Sequence, residues 1–182
     1  MAKNNLALIL MAAGFAADRH RNQRRKDAEA SPYINHPIDL ANVLANEGGV
    51  EDPIVLCAAL LHDTIEDTET TRAELETIFG SDIADVVMEV TDDKSLPKEQ
   101  RKLLQEQHAT TISGRAKLVK LSDKICNLRD IGTFPPADWT MERKSEYYDW
   151  ARRVVAGLRG TNEELERIFE ELYGRWQRNH EA

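Results

Sequence analysis

The residues whose types and spacing best suit metal binding or catalysis are two histidines and two aspartates. His62 and Asp63 are adjacent at the end of an apolar run, and their candidate partners are His36, which precedes a proline, and the distant Asp123. A buried aspartate must be paired or must coordinate a metal, because desolvation of its unpaired charge is costly. Two imidazoles and two carboxylates favour an octahedral Mn²⁺ or Fe²⁺ over a structural zinc. These four residues are therefore a candidate metal site.

A second pair of carboxylates, Glu66 and Asp67, follows the His-Asp pair. In a helical turn they share a face with Asp63, because residues three and four positions apart are neighbours. Beside a metal they could deprotonate an attacking water or protonate a leaving oxygen. The alternative is a helix end followed by a turn, which Asp67 and Thr68 would also suit. The adjacent His-Asp pair favours the catalytic interpretation.

A run of positive charge precedes the first ligand candidate in a chain of net charge −8. The residues are Arg19, Arg21, Arg24, Arg25 and Lys26. The acidic balance argues against a nucleic-acid polymer as partner, since such proteins usually carry a basic face. A bare charge run is usually a solvated helix end. Its position before the candidate ligands favours the binding of a small phosphorylated ligand.

The elements that must position these residues are predicted to be helices, with no strand of ordinary length. Helices are expected over 4–20, from His36-Pro37, from Asp52-Pro53, over 71–80, from Ser81-Asp82, within 94–108, from Gly114 to Phe134, over 140–158 and over 162–178. Thr71 and Thr161 are expected to begin capping boxes, and Ser81-Asp82 to cap the helix that they open. The polar segment 94–108 is expected to be a surface helix where a substrate lid could lie.

The N-terminal segment has two interpretations. Lys3 followed by an apolar run has the outline of a secretory signal peptide. The same run has apolar residues at helical spacing, which predicts the core face of a first helix. That face would comprise Leu6, Ile9, Leu10, Ala13, Ala16, Ala17 and His20. The run is too short to span a bilayer. We predict an intact first helix in a cytoplasmic protein with no membrane partner.

The length of 182 residues predicts a single domain spanning 1–182. Two cysteines, Cys57 and Cys126, cannot form a disulfide framework. Both lie in apolar helical runs, which is typical of reduced core residues in a reducing compartment.

Several blocks of sequence resemble the hydrolase domain of RelA/SpoT proteins, within the HD superfamily. The blocks are RRKD at 24–27, YINHP at 33–37, ALLHDTIEDT at 59–68 and KLVKLSDK at 117–124, continued at 89–97 and 127–130. The resemblance covers about residues 6–160 and is strongest to the stand-alone small alarmone hydrolases of the metazoan SpoT-homologue type. His-Asp alone is a weak signal, but these blocks in this order are highly specific.

The resemblance implies an all-helical fold that binds one Mn²⁺ and removes the 3′-pyrophosphate from guanosine tetra- or pentaphosphate. The implied metal ligands are His36, His62, Asp63 and Asp123, and the implied water-activating residues are Glu66 and Asp67. The implied substrate-binding residues are Arg25, Lys26, Asn127, Arg143 and Tyr147. Cys126 stands where an aromatic residue is expected and Ser122 where a small apolar one is expected. Neither departure affects a proposed ligand.

Alternatives to alarmone hydrolysis remain open at this point. The same metal site could remove phosphate from another nucleotide, such as the 2′-phosphate of NADPH or a deoxynucleoside triphosphate, because substrate choice depends on a few pocket side chains. A catalytically inactive nucleotide sensor and a metal-free helical scaffold are further alternatives. No segment for the synthetase half of the long RelA/SpoT enzymes is present, so we expect degradation of the alarmone and not its synthesis. The native metal, the preference between tetra- and pentaphosphate, regulation and the oligomeric state stay open.

Overall fold

The computed structural model describes residues 4–180, which form helices joined by loops and contain no strand. In chain order the helices are α1 (Asn5–Arg19), α2 (Asn35–Asn42, continued by a π-helical turn Val43–Glu47), α3 (Pro53–Leu61), α4 (Thr64–Asp67), α5 (Arg72–Phe79), α6 (Ser81–Val90), α7 (Lys98–His108), α8 (Gly114–Thr133), α9 (Met141–Ala156) and α10 (Glu163–His180). Extended pairing within 4–180 is limited to an isolated bridge between Arg24 and Pro32. The predicted all-α class is therefore confirmed.

Helix α3 is the central element that brings the His-Asp pair into the interior. The side chain of Asp52 caps α3 by accepting a hydrogen bond from the Ile54 N–H at 2.9 Å, and Pro53 occupies the first turn. Every residue from Val55 to Leu61 is buried, because α3 packs against α1, α2, α6 and α8. A helix surrounded in this way is apolar on all faces. The helix ends at Leu61, so the polar side chains that follow it, His62 and Asp63, lie in the interior of the protein.

Two predicted caps are wrong. Helix α6 begins at Ser81, and its cap is Gly80, which has a φ of 94° and ends α5 as well. No residue is left between the two helices for Ser81 to act as a cap. The predicted capping box at Thr161 lies one residue later. Asn162 Oδ1 accepts from the Leu165 N–H at 3.0 Å, and Glu166 accepts from the Asn162 N–H at 3.3 Å.

The predicted inner face of α1 is partly wrong. Ala16 and His20 are buried as expected, but Leu6 and Leu10 are each 62% exposed and Ala17 is also exposed. The face that packs on α3 is centred on Ala12 and Ala16, whose small side chains allow close approach. Within residues 4–180, no helix has the length and apolar character needed to cross a membrane.

The remaining predictions about the core hold. Cys57 and Cys126 are buried and free, as expected. Helix α7 contains no buried residue, which agrees with its prediction as a surface helix. Helix α8 packs against α2, α3, α6, α9 and α10 and carries two buried lysines, Lys120 and Lys124. A buried cation requires a partner of opposite charge. Lys120 lies 4.0 Å from Asp92 Oδ1, and Lys124 lies 3.0 Å from Asp123 Oδ2.

Candidate metal centre and active site

Three of the predicted metal ligands converge from three different helices. His36 lies in the first turn of α2, His62 directly follows α3, and Asp123 lies in the middle of α8. One ligand atom from each of the three lies within 4.8 Å of the other two. The His36 Nε2 atom is 3.2 Å from Asp123 Oδ1, and the two imidazole centroids are 5.3 Å apart. Both histidines are buried.

The two imidazoles differ in how their Nδ1 atoms are hydrogen-bonded. His62 Nδ1 donates a hydrogen bond to the Ala59 carbonyl oxygen at 2.8 Å, so Nε2 is the nitrogen that could bind a metal once its proton leaves. The His36 Nδ1 atom is buried and has no hydrogen-bond partner within the described residues. Buried polar groups normally have a hydrogen-bond partner, and this nitrogen is an exception. A mixed set of imidazole nitrogens and carboxylate oxygens suits a divalent metal such as Mn²⁺ or Fe²⁺.

Asp63, the fourth predicted ligand, lies at the edge of this cluster. Its Oδ2 atom is 2.8 Å from His62 Nε2 and also accepts a hydrogen bond from the Tyr33 hydroxyl. Burial raises the pKa of Tyr33 above its ordinary value and the Asp63 carboxylate raises it further, so the hydroxyl remains a donor. Tyr33 was not among the predicted site residues. It lies one turn before His36, which is the signal that could have identified it.

The Asp123 carboxylate is held by the next residues of its own helix. The Asn127 amide donates to Oδ1 at 2.6 Å, and the Lys124 ammonium donates to Oδ2 at 3.0 Å. Burial alone would lower the pKa of Lys124, but the Asp123 carboxylate raises it above its ordinary value. Lys124 therefore stays charged although its side chain is only 3% exposed. Asn127, predicted to contact substrate, here donates to Asp123, a predicted metal ligand.

Glu66 lies beside the cluster in the one-turn helix α4. Its Oε2 atom accepts from the backbone N–H of Asp92 at 3.1 Å, and its Oε1 atom is 3.8 Å from Arg101 and 3.9 Å from Lys94. Burial, followed by the negative charge of Asp63, raises the pKa of Glu66 to about 7. A carboxyl with this pKa can both accept and donate a proton near neutral pH.

Asp67 lies in the same turn, where its backbone N–H donates to the Asp63 carbonyl oxygen at 2.8 Å. Its carboxylate accepts from the Gln23 amide at 2.7 Å and pairs with the Lys94 ammonium. Gln23 is itself oriented by His20, whose Nδ1 atom is 2.6 Å from Gln23 Oε1. The predicted helical turn after the His-Asp pair is confirmed, and both of its carboxylates face cations.

Three of the residues predicted to bind substrate contact other side chains of the protein, and a fourth is exposed. Arg25 pairs with Asp130, and its guanidinium lies 5.7 Å from the centroid of the Tyr33 ring. Lys26 is exposed. The Arg143 guanidinium stacks 4.6 Å from the Trp139 ring centroid, and the Tyr147 ring lies 5.6 Å from that of Trp139.

The basic run before His36 is partly neutralised. Arg19 pairs with Glu74, and Arg21 lies 2.9 Å from Asp18. Arg24 donates to the backbone carbonyls of Arg21 and Gln23. Arg25 is likewise paired, with Asp130, whereas Lys26 is exposed. The phosphate-binding role of the run remains a prediction.

Comparison with known proteins identifies the class. A family model described as HD domain matches residues 12–151. The chain therefore belongs to the HD-domain family, a family of metal-dependent hydrolases, and the predicted fold is confirmed. The family implies a divalent metal, and the His36, His62 and Asp123 cluster provides a place for one.

Within this family the chain is similar to proteins named guanosine-3′,5′-bis(diphosphate) 3′-pyrophosphohydrolase MESH1. It is 55% identical to the protein of Xenopus tropicalis, over 93% of this chain and 95% of that protein. It is 54% identical to the protein of Homo sapiens, over 92% and 93% of the two chains. A solved structure of a metazoan orthologue of SpoT, described as hydrolysing ppGpp, matches with a TM-score of 0.90 and 47% identity over 93% and 95% of the chains. The resemblance to small alarmone hydrolases is confirmed.

Proposed function

We propose that this chain is a metal-dependent guanosine-3′,5′-bis(diphosphate) 3′-pyrophosphohydrolase, which converts guanosine tetra- or pentaphosphate to GDP or GTP and pyrophosphate. The observation that carries the proposal is the convergence of His36, His62 and Asp123 to within 4.8 Å of one another. It occurs in a chain more than half identical to proteins of that name. The substrate class is a small nucleotide, in keeping with the acidic charge of the chain.

We propose one Mn²⁺ per chain, held by His36, His62, Asp63 and Asp123. The donor set of two imidazoles and two carboxylates supports Mn²⁺, with Fe²⁺ as the nearest competitor. When bound, such a cation lowers the pKa of a coordinated water and polarises a phosphoryl oxygen. Lys124, Asn127 and Tyr33 fix the carboxylate ligands in place.

Glu66 and Asp67 are the proposed catalytic carboxylates. Glu66 accepts a proton from the attacking water as the new bond to phosphorus forms, and delivers that proton to the ribose 3′-oxygen as the bond from phosphorus to that oxygen breaks. The pKa of Glu66 near 7 suits both transfers. Asp67, held by Gln23 and Lys94, orients the water. Lys94 and Arg101, which lie 3.9 and 3.8 Å from Glu66 Oε1, are the cations proposed to stabilise the negative charge that develops on the phosphate oxygens.

The proposed substrate-binding residues are Arg25, Lys26, Asn127, Arg143 and Tyr147. Arg25 and Lys26 provide positive charge for the ribose-phosphate region. Tyr147 and Arg143, together with Trp139, form an aromatic and cationic edge that a purine base can contact.

We further propose that a single HD domain spans residues 1–182 and includes α10. Helix α10 packs against α8 and against the π-helical end of α2, so it shares their core.

The two free, buried cysteines are consistent with the proposed cytoplasmic location, because they require no oxidising compartment.

A panel of nucleotides tests this function. Purified protein is incubated with Mn²⁺ and guanosine tetraphosphate, NADPH or dGTP, and the products are separated by anion-exchange chromatography. Asp63→Asn and a chelator-treated sample are the controls. We expect GDP and pyrophosphate from guanosine tetraphosphate, and loss of both products in each control. Preferential turnover of NADPH or dGTP would instead support an HD phosphohydrolase of different specificity.

A further inference from the structure

The half-buried side chain of Gln105 occupies a position that the proposed chemistry does not explain. It lies on α7, a helix without a fully buried residue, yet its amide points inward and bonds to two charged side chains. Its Oε1 atom accepts from the Lys124 ammonium at 3.1 Å. Its Nε2 atom donates to Asp92 Oδ2 at 2.6 Å.

These bonds complete a continuous path between the two halves of the site. Lys124 donates to Oδ2 of the ligand Asp123 at 3.0 Å. At the other end, the backbone N–H of Asp92 donates to Oε2 of Glu66 at 3.1 Å. Gln105 is therefore the link that joins a proposed metal ligand on α8 to a proposed catalytic carboxylate on α4.

We propose that Gln105 is a positioning residue, which sets the Asp123 carboxylate and the Glu66 carboxylate in a fixed relation through Lys124 and Asp92. This inference rests on the proposed function. It gives α7 a structural role in the active site in addition to any role as a lid.

The chemistry of the neighbours explains why the residue must be glutamine. An ammonium only donates hydrogen bonds and a carboxylate only accepts them, so the side chain between them must offer one acceptor and one donor. Glutamate retains the acceptor for Lys124 but places a second negative charge against Asp92. Methionine has nearly the same length and shape but offers neither bond.

Two further contacts of α7 reinforce this geometry. Arg101 lies one turn before Gln105, so the two share a face, and its guanidinium is 3.8 Å from Glu66 Oε1. The Trp150 indole also donates to the Lys102 carbonyl oxygen at 3.2 Å, which attaches α7 to α9. The helix is thus held in register while Gln105 reaches both halves of the site.

The test compares Gln105→Met and Gln105→Glu with the wild type and with Gln107→Met, a matched substitution at an exposed position of the same helix. Mn²⁺ affinity is measured on metal-stripped protein from the electron paramagnetic resonance signal of free Mn²⁺. The kcat and KM for guanosine tetraphosphate are measured with saturating Mn²⁺. Thermal melting without metal reports the stability of every variant.

We expect both Gln105 variants to lose about 10- to 100-fold in Mn²⁺ affinity and in kcat, the usual effect of removing a residue that orients a metal ligand. The KM should change little, since the hydrogen bonds of Gln105 go to Lys124 and Asp92, which are not among the proposed substrate-binding residues. Wild-type affinity and kcat in both Gln105 variants would overturn the proposal. Equal losses in Gln107→Met would also overturn it, by assigning the effect to the helix. If the wild type binds Mn²⁺ but does not hydrolyse this substrate, the proposed function fails, and the affinity comparison still decides the role of Gln105.

Discussion

The Nε2 atom of His62 lies 2.8 Å from Oδ2 of the adjacent Asp63, while Nδ1 of the same ring lies 2.8 Å from the Ala59 carbonyl oxygen. Both contacts come from within three residues along the chain. The orientation of this imidazole is therefore set locally, at the end of α3, and the distant residues His36 and Asp123 complete the cluster around it.

The protonation of His62 predicts a pH-dependent affinity for Mn²⁺. Burial opposes protonation, but the carboxylates of Asp63 and Asp123 raise the pKa of His62 to about 9 in the metal-free protein. A metal binds only the neutral imidazole, so below this pH a proton must leave. We expect affinity to rise about tenfold per pH unit from acid pH towards the His62 pKa. Mn²⁺ titrations of stripped protein across this range measure it.

The control for this titration is His108→Gln, which replaces an exposed histidine at the end of α7. That variant should show the same slope as the wild type. An affinity that does not change with pH would contradict the assignment of His62 as a ligand.

Removing the Tyr33 hydroxyl should weaken metal binding. Tyr33→Phe leaves the Asp63 carboxylate without one of its donors. We expect a loss of about 1–3 kcal/mol in unfolding free energy and of about 10- to 100-fold in Mn²⁺ affinity. Urea denaturation and metal titration measure the two effects. Tyr148→Phe is the matched control, because its hydroxyl donates to the Leu128 carbonyl oxygen away from the cluster. It should lose stability but keep its affinity, and equal affinity losses in both variants would refute the assigned role of Tyr33.

Glu66 should make the metal-free protein less stable as the pH rises. Its folded pKa of about 7 is above the value of 4.5 for an unperturbed glutamate. The folded state therefore holds its proton more tightly, and this contribution is complete below pH 4.5 and is lost as the pH rises through about 7. Glu66→Gln keeps an acceptor for the Asp92 N–H and removes the charge. At alkaline pH we expect the free energy of unfolding of Glu66→Gln to exceed that of the wild type by about 1–3 kcal/mol.

Urea denaturation in the presence of chelator, at acid and alkaline pH, measures this difference. Glu76→Gln on the exposed face of α5 is the control, and its free energy of unfolding should match that of the wild type at both pH values. A stability difference between Glu66→Gln and the wild type that stays constant with pH would show that the Glu66 pKa is not raised.

Neutralising Asp123 should destabilise the fold even without metal. Asp123→Asn leaves the buried Lys124 charge without its carboxylate partner. Breaking a buried pair in this way costs about 3–5 kcal/mol. The double variant Asp123→Asn/Lys124→Met should recover part of that loss, because it removes the stranded charge. Denaturation curves measure both variants. Asp85→Asn, which breaks the exposed pair with Arg72, should cost less than about 1 kcal/mol. A cost for Asp123→Asn as small as this control would contradict a buried pair.

The sequence was sufficient for the parts of this molecule that depend on local pattern. The helices follow from apolar periodicity and from caps such as Asp52 and Thr71, which operate over a few residues. The turn that places Glu66 and Asp67 after Asp63 is also local. These features need no knowledge of the tertiary arrangement.

The residues that orient the site were missed because their partners are distant in sequence. Gln23 contacts Asp67 and Gln105 contacts Asp92 through polar side chains on segments with little apolar pattern. Two orienting residues could have been identified from the sequence. Tyr33 lies one turn before His36, and Lys124 is a cation on the inner face of a periodic helix, which requires a nearby anion. Leu6 and Leu10 were predicted to face the core but are exposed, because apolar periodicity indicates a helix without fixing which apolar residues reach the core.

The most direct test of the account is the identity of the bond that is broken. Guanosine tetraphosphate is hydrolysed by the Mn²⁺-loaded protein in heavy-oxygen water, and the products are examined by phosphorus NMR and mass spectrometry. We predict GDP with an unlabelled ribose and pyrophosphate that carries one heavy oxygen, because water attacks phosphorus and the ribose 3′-oxygen leaves. Release of orthophosphate, label in the ribose, or no turnover by protein with demonstrably bound Mn²⁺ would contradict a 3′-pyrophosphohydrolase built on this site.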